Sequence, residues 1–208
     1  SPGGDPARRR LSTAMDGGVG RVLDAAVDEG FLTAGAASEG IRHSSGFLAG
    51  TPLLAADELA VDLGSGGGLP GLVLATLTNC NWFLVERSER RCRFLEWAAR
   101  SLEVFDRVSV VHADATEVGR GELRGSVTLV TARAFGPPGV TIECGAPLLA
   151  DEGHLVVSEP PEDGRARWPE DPLGELGLSD AGAWEHEGAR FQAFRSDGPC
   201  GDRYPRAW

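Results

Sequence analysis

The 208-residue sequence contains no lysine: its 20 basic residues are all arginine, set against 31 acidic ones, for a formal net charge of −11. A chain with that balance is repelled by polyanions except where it gathers arginines locally. Broad nucleic-acid binding is therefore disfavoured, whereas a local arginine patch is still allowed. No apolar run approaches the roughly 20 residues of a bilayer-spanning helix, so no membrane partner is expected. Cys80, Cys92, Cys144 and Cys200 make no CxxC pair, and His43, His112, His154 and His186 are equally scattered. A zinc site needs clustered ligands, so no metal is expected. Separated cysteines, with no apolar leader in "SPGGDPARRRLSTAMDGG", point to reduced thiols and a cytoplasmic protein.

With 41% hydrophobic residues the chain can bury a proper core. Residues 1–17 read as a flexible tail. Over 18–56, apolar positions such as Val22, Leu23, Ala26 and Val27 recur at helical spacing and predict a small helical extension. A second helical piece is expected around "SEGIRHSSGFLA". Residues 57–208 form the main domain, where strand and helix texts alternate. "ELAVDL", "NWFLVE", "RVSVVHA", "SVTLVTA" and "GHLVVSE" read as strands, with "PGLVLATL", "SERRCRFLEWAARSLEV" and "PGVTIECGAPLL" as helices between them. Ser88 can cap the second of these helices, and Phe94, Leu95, Ala98 and Leu102 form its apolar stripe. This alternation predicts an α/β fold with a mostly parallel sheet and helices on both faces. "PPEDGRARWPEDP" reads as a loop, and "AWEHEGARFQAFRS" as an antiparallel hairpin closing the sheet.

One stretch stands apart. "DLGSGGGLPG", residues 62–71, lies between the first strand and the helix after it. A glycine turn there lets a ligand approach the backbone and aims free N–H groups at it. Two cofactor classes fit. Gly66, Gly68 and Gly71 satisfy the dinucleotide pattern GxGxxG, a weak match in a chain with 29 glycines and with Pro70 inside the pattern. Asp62, Gly64 and Gly66 instead satisfy the acid–x–Gly–x–Gly loop of S-adenosylmethionine enzymes. Two further acids end the next two strands, Glu86 after "NWFLV" and Asp114 after "VSVVHA". Acids at three successive strand ends would share the crevice where open α/β sheets bind ligands. Each has a plainer reading as well: a loop cap for Asp62, an exposed strand end for Glu86, a turn cap for Asp114.

Together with "RRCRFLEWAARSLEV", "VTARAFGPPGV" and the tail "RYPR", the glycine loop resembles the RsmG/GidB family of bacterial small-subunit rRNA methyltransferases, which modify guanine N7. The matching features are the Leu69-Pro70-Gly71 step, Arg90, Arg91 and Arg93 leading into Phe94-Leu95, the Arg133-Ala134 pair, and Tyr204-Pro205-Arg206. The resemblance is good over about residues 40–160. It implies a Rossmann-like class I methyltransferase with a seven-stranded sheet, S-adenosyl-L-methionine as cofactor, and 16S rRNA or the 30S subunit as partner. It also implies that Asp62, Gly64, Ser65, Gly66, Gly68, Leu69, Glu86, Arg87, Asp114, Ala115 and Arg133 hold the cofactor, with Arg133 also catalytic beside the target base. The chain departs from the pattern at "VVSEPP", where Ser158 and Glu159 stand in place of the family's usual lysine and glycine. That departure keeps open a methyltransferase with a small-molecule or other non-rRNA acceptor, and a non-catalytic protein that binds S-adenosylmethionine. A nicotinamide oxidoreductase is the remaining alternative.

Overall fold

A computed structural model describes residues 6–160, 168 and 170–206. Its centre is one seven-stranded sheet in the order β3-β2-β1-β4-β5-β7-β6. The strands are β1 (Leu59–Leu63), β2 (Asn81–Glu86), β3 (Val108–His112), β4 (Val127–Ala132), β5 (Leu149–Glu159), β6 (Leu178–His186) and β7 (Ala189–Ser196). The first five are mutually parallel; β7 runs antiparallel to both of its neighbours, β5 and β6. The predicted hairpin is thus present, though its first strand starts earlier than the text "AWEHE" indicated. Its two-residue turn, Glu187-Gly188, has positive φ at both positions, as the turn joining two right-twisted strands demands.

The eight helices of the described residues cover both faces: α1 (Pro6–Asp28), α2 (Ala34–Ser38), α3 (Gly40–Ala49), α4 (Gly71–Leu77), α5 (Glu89–Ser101), α6 (Ala115–Val118), α7 (Pro138–Gly145) and α8 (Glu170–Glu175). Strand alternation divides the core in two. Ala60, Trp82, Leu84 and Leu129 pack against α1, α3, α4 and α5, while Val61, Leu63, Val85 and Val130 pack against α6, α7 and α8. Each such fully buried large side chain is worth about 1.5–3 kcal/mol over leaving it in water. In α5, Ser88 caps the N-terminus by accepting from the Arg91 N–H, and Glu89 and Arg100 sit at the ends that the helix dipole favours for their charges.

Two expectations change. The first helix reaches back to Pro6, into the segment read as a flexible tail; residues 1–5 lie outside the described residues. Helix formers such as alanine, arginine, leucine and methionine fill that stretch, and the proline that opens it needs no N–H there, whereas the apolar periodicity begins only near Val19. Much of the loop expected over 160–172 lies outside the described residues, but its end is helical, forming the start of α8. Residues 18–56 are helical as expected, over α1 to α3, and their side chains enter the main core. Val22, Ala26 and Phe47 join the sheet's core, and Val19 and Leu23 pack with Leu69 of the glycine loop.

Candidate functional site

The C-terminal ends of β1, β2 and β3 and the turn after β4 surround a cleft of about 510 Å³. Its wall on the β1 side is the glycine loop, where Gly64, Gly66 and Gly68 have φ of 70°, 55° and 100°. Side chains avoid those angles, so glycine alone lets the loop fold back over the strand end. Gly64 has a second constraint: a Cβ there would lie 2.9 Å from the Phe135 ring.

The three acids have different positions. Glu86, buried, forms part of the cleft wall; its Oε2 accepts from the Gly66 N–H at 3.0 Å and its Oε1 from the Ser88 N–H at 2.9 Å. Asp114 also lines the cleft, and caps α6 by accepting from the Thr116 N–H at 2.9 Å; those bonds to Thr116 hold its carboxyl below the usual range. Asp62 lies beneath the loop, fully buried. Its Oδ2 accepts from the Gly71 N–H at 3.1 Å and its Oδ1 from the Thr131 hydroxyl at 2.8 Å, tying the start of α4 to β4. Burial pushes the Asp62 carboxyl up to about 6 despite these bonds. Gly71 sits so tightly on it that a Cβ would fall 2.5 Å from the Asp62 Cβ.

Of the sequence-predicted residues, Gly64, Glu86, Arg87, Asp114 and Ala115 line the cleft. Asp62, Ser65, Gly66, Gly68 and Leu69 build the loop behind it: Ser65 donates to the Asp62 carbonyl at 3.1 Å, and the Leu69 side chain faces α1. Arg91, Phe135, Val140 and Cys144 line the cleft as well. Arg91 was singled out only as part of a basic helix start; here its Nη1 lies 3.9 Å from the Glu86 Oε2. Arg90 and Arg93 point elsewhere, in exposed ion pairs with Glu29 and Glu89. Phe135 and Val140 lie within the stretch "VTARAFGPPGV" but were not singled out as site residues; Phe135 reaches the cleft from the turn after β4 and Val140 from α7.

Arg133 belongs to a second cavity of about 290 Å³, which shares Ala134, Phe135 and Gly136 with the cleft. Ala134 has φ of 50°, a conformation that L residues seldom adopt and that recurs at ligand sites. Also around this cavity are His43 from α3, Glu159 from the end of β5, and Trp168. Arg133 is half-buried and makes no hydrogen bond among the described residues; burial lowers its basicity, opposed by the nearby charges of Asp62 and Glu39. The His43 imidazole is pushed down to about 4 by burial and by the Arg133 charge.

The tail motif Tyr204-Pro205-Arg206 is ordered and braces the cleft from outside. Arg206 pairs with Glu143 at 2.8 Å, and Glu143 is buried on α7, the helix that brings Val140 and Cys144 to the cleft. Among the described residues no group of His, Cys, Asp and Glu could hold a metal ion, and no helix is long and apolar enough to cross a membrane. All four cysteines are free.

The model of the GidB family, "rRNA small subunit methyltransferase G", matches residues 41–159. That range carries the glycine loop, all three acids, Arg133, His43 and Glu159. The protein of Gluconobacter oxydans named "Ribosomal RNA small subunit methyltransferase G" is 36% identical over 115 residues, covering 55% of this chain and 56% of that protein. The one of the same name from Kineococcus radiotolerans is 44% identical over 98 residues, covering 47% of this chain and 37% of its own length. The chain thus matches about half, or less, of the length of these curated relatives. Among solved structures, geranyl diphosphate C-methyltransferase from Streptomyces coelicolor, in complex with Mg2+, geranyl diphosphate and S-adenosyl-L-homocysteine, superposes with a TM-score of 0.56 at 12% identity. The match covers 73% of this chain and 76% of that one and shows a shared Rossmann-like fold.

Proposed function

From the premise that this chain belongs to the GidB family of rRNA small subunit methyltransferases, we propose that it is a class I methyltransferase that uses S-adenosyl-L-methionine to methylate guanine N7 in 16S rRNA, as part of the 30S subunit and in the cytoplasm. The observation that carries this reading is the pairing of two cavities across one short wall, Ala134 to Gly136, with Glu86 and Asp114 lining one and Arg133, which makes no hydrogen bond among the described residues, lining the other. A donor and an acceptor bound on either side of such a wall would meet in a site that water enters poorly.

The cleft suits the cofactor. Glu86 spends one lone pair of each carboxylate oxygen on the backbone, which fixes its orientation and leaves further lone pairs for hydroxyl donors. Asp114 and Ala115 begin α6 at the far side of the cleft, and the backbone of Gly64 is open to it. A Cβ at Gly64 is excluded by Phe135, so the loop presents bare backbone where a ligand can lie close. When bound, S-adenosylmethionine supplies an activated methyl group. The chain's own residues position and exclude: Glu86 and Asp114 orient, Phe135 and Val140 keep water out, and Arg133 holds the acceptor's phosphate or base. Guanine N7 carries a lone pair and no proton, so the site needs no general base. His43, neutral and weakly basic at about 4, accords with that requirement.

The test is transfer of a labelled methyl group from S-adenosylmethionine to 30S subunits lacking the modification, with the product nucleoside identified by mass spectrometry. Labelled N7-methylguanosine is the expected result. Cofactor binding without labelling would instead favour the second reading, a non-rRNA acceptor. One observation supports that second reading: Glu159, an acid where the family usually has a lysine–glycine pair, lines the acceptor cavity.

A further inference from the structure

The helix that carries Val140 and Cys144 to the cleft has little of its own to keep it there. α7 is eight residues long, includes Gly139 and Gly145, and has no side-chain cap at its N-terminus. Short length and glycine both work against a helix, so α7 depends on what it packs against. Between its two cleft residues stands Glu143, a buried carboxylate. Such a group is costly unless it is paired and hydrogen-bonded. Among the described residues, every hydrogen bond to the Glu143 carboxylate comes from Arg206. The Arg206 backbone N–H at 2.6 Å and Nε at 3.0 Å reach Oε1, and Nη2 at 2.8 Å reaches Oε2. Burial alone would push the Glu143 carboxyl up, but the bonds and charge of Arg206 outweigh it and hold the group below its usual range.

Two further arginines hold this tail in place. Arg124 donates to the carbonyls of Cys200, Gly201 and Tyr204 at 2.9, 3.0 and 2.7 Å, and to that of Gly119 at 2.9 Å. Arg120 donates to the Pro205 carbonyl. Gly119 closes α6, the helix that Asp114 caps, and a Cβ there would lie 3.0 Å from the Pro205 ring. The tail is thus tied to both α6 and α7, two walls of the cleft, although no tail residue lines it.

We propose that Arg206 is a positioning residue for the cofactor cleft: by pairing with Glu143 it fixes α7 against α6, so that affinity in the cleft is set from the C-terminal tail. By linkage the coupling runs both ways, and a bound cofactor holds the tail in its place. The inference rests on the reading of the first cavity as the cofactor site, and it is independent of what accepts the methyl group.

The experiment makes two measurements on the full chain and its variants: amide hydrogen exchange across residues 134–145 without ligand, and affinity for S-adenosylhomocysteine by calorimetry. Arg206→Gln should speed exchange in α7 while β1 and β4 keep their protection. It should also weaken S-adenosylhomocysteine about fivefold or more, the low end of coupling between distinct sites. Arg206→Lys keeps the charge without the two-pronged fit and should fall between. Adding Glu143→Gln to Arg206→Gln should recover part of the affinity, because the buried group is then neutral. A substitution that merely loosened the fold would not be rescued by a second one. Arg203→Gln removes an exposed pair with Glu175 in the same tail, 2.6 Å long, and should leave affinity unchanged. The proposal is overturned by unchanged affinity in Arg206→Gln, whatever the exchange does. An equal loss in Arg203→Gln, no recovery with Glu143→Gln, or loss of protection in the strands along with α7 would also overturn it. Failure of the unaltered chain to bind S-adenosylhomocysteine would refute the cofactor reading; exchange in Arg206→Gln would then still support or overturn the hold of the tail on α7.

Discussion

The two cavities share a wall but differ in how their polar groups are committed. Around the first cavity the three strand-end acids are already bonded to backbone: Asp62 to Gly71, Glu86 to Gly66 and Ser88, Asp114 to Thr116. Around the second cavity, Arg133 and His43 make no hydrogen bond among the described residues. A site that binds one invariant ligand gains from groups fixed in advance, since their ordering cost is met during folding. A site that engages a large partner only during turnover leaves its donors for that partner. On the proposed assignment, residues that hold the cofactor are also residues of stability, whereas residues that meet the acceptor are not.

Substitutions that should obey this division can be ordered by their effect on stability. Gly71→Ala forces a Cβ into the Asp62 side chain and Leu84, at 2.5 to 2.7 Å, with the start of α4 unable to retreat. It should cost about 3 kcal/mol, the upper range for overpacking, in denaturant unfolding. A loss under 1 kcal/mol would mean that the loop yields and is not braced.

Glu86→Ala strands the N–H groups of Gly66 and Ser88. We expect about 2 kcal/mol of destabilisation, together with a clear loss of S-adenosylhomocysteine affinity by calorimetry. Loss of affinity at full stability would make Glu86 a ligand group only and would remove the contrast between the cavities.

Asp62 gives a subtler signature. Its carboxyl titrates at about 6 when folded, against 3.8 for the free side chain. Between those values the folded chain binds the extra proton, so stability declines as pH rises through the window. The contribution is complete below the lower value and gone above the higher. Asp62→Asn should flatten Tm against pH across that interval, and an unchanged slope would assign the titration to another group.

Arg133→Ala should move stability least, within about 0.5 kcal/mol, and leave S-adenosylhomocysteine affinity unchanged while methyl transfer falls steeply. Equal loss of stability and transfer would make Arg133 a structural anchor and place both cavities in one class.

The strand-and-helix alternation was legible because apolar spacing follows the period of each element, and the three strand-end acids were legible because a parallel sheet gathers such ends at one edge. What could not be read was direction. Asp62, Glu86 and Asp114 occupy equivalent positions in the text, yet Asp62 shares its strand face with Ala60, pointing under α4, and so supports the loop from behind. Arg133 was expected both with the cofactor and beside the target base; it lines the neighbouring cavity, next to the left-handed residue Ala134. His43 carried no signal at all. It reaches the second cavity because α3 packs its Phe47 onto Phe191 of β7, a contact between distant parts of the chain that no local spacing foretells.

The thin wall of Ala134, Phe135 and Gly136 bears on inhibitor design. A single molecule with an adenosine at one end and a purine at the other need cross only that segment to occupy both cavities. Tethering turns the second contact into an intramolecular event, so two weak fragments combine into a bivalent ligand whose strength is set by the linker. The linker's length then becomes a ruler: the spacer that binds best reports how far apart the two halves sit across the wall.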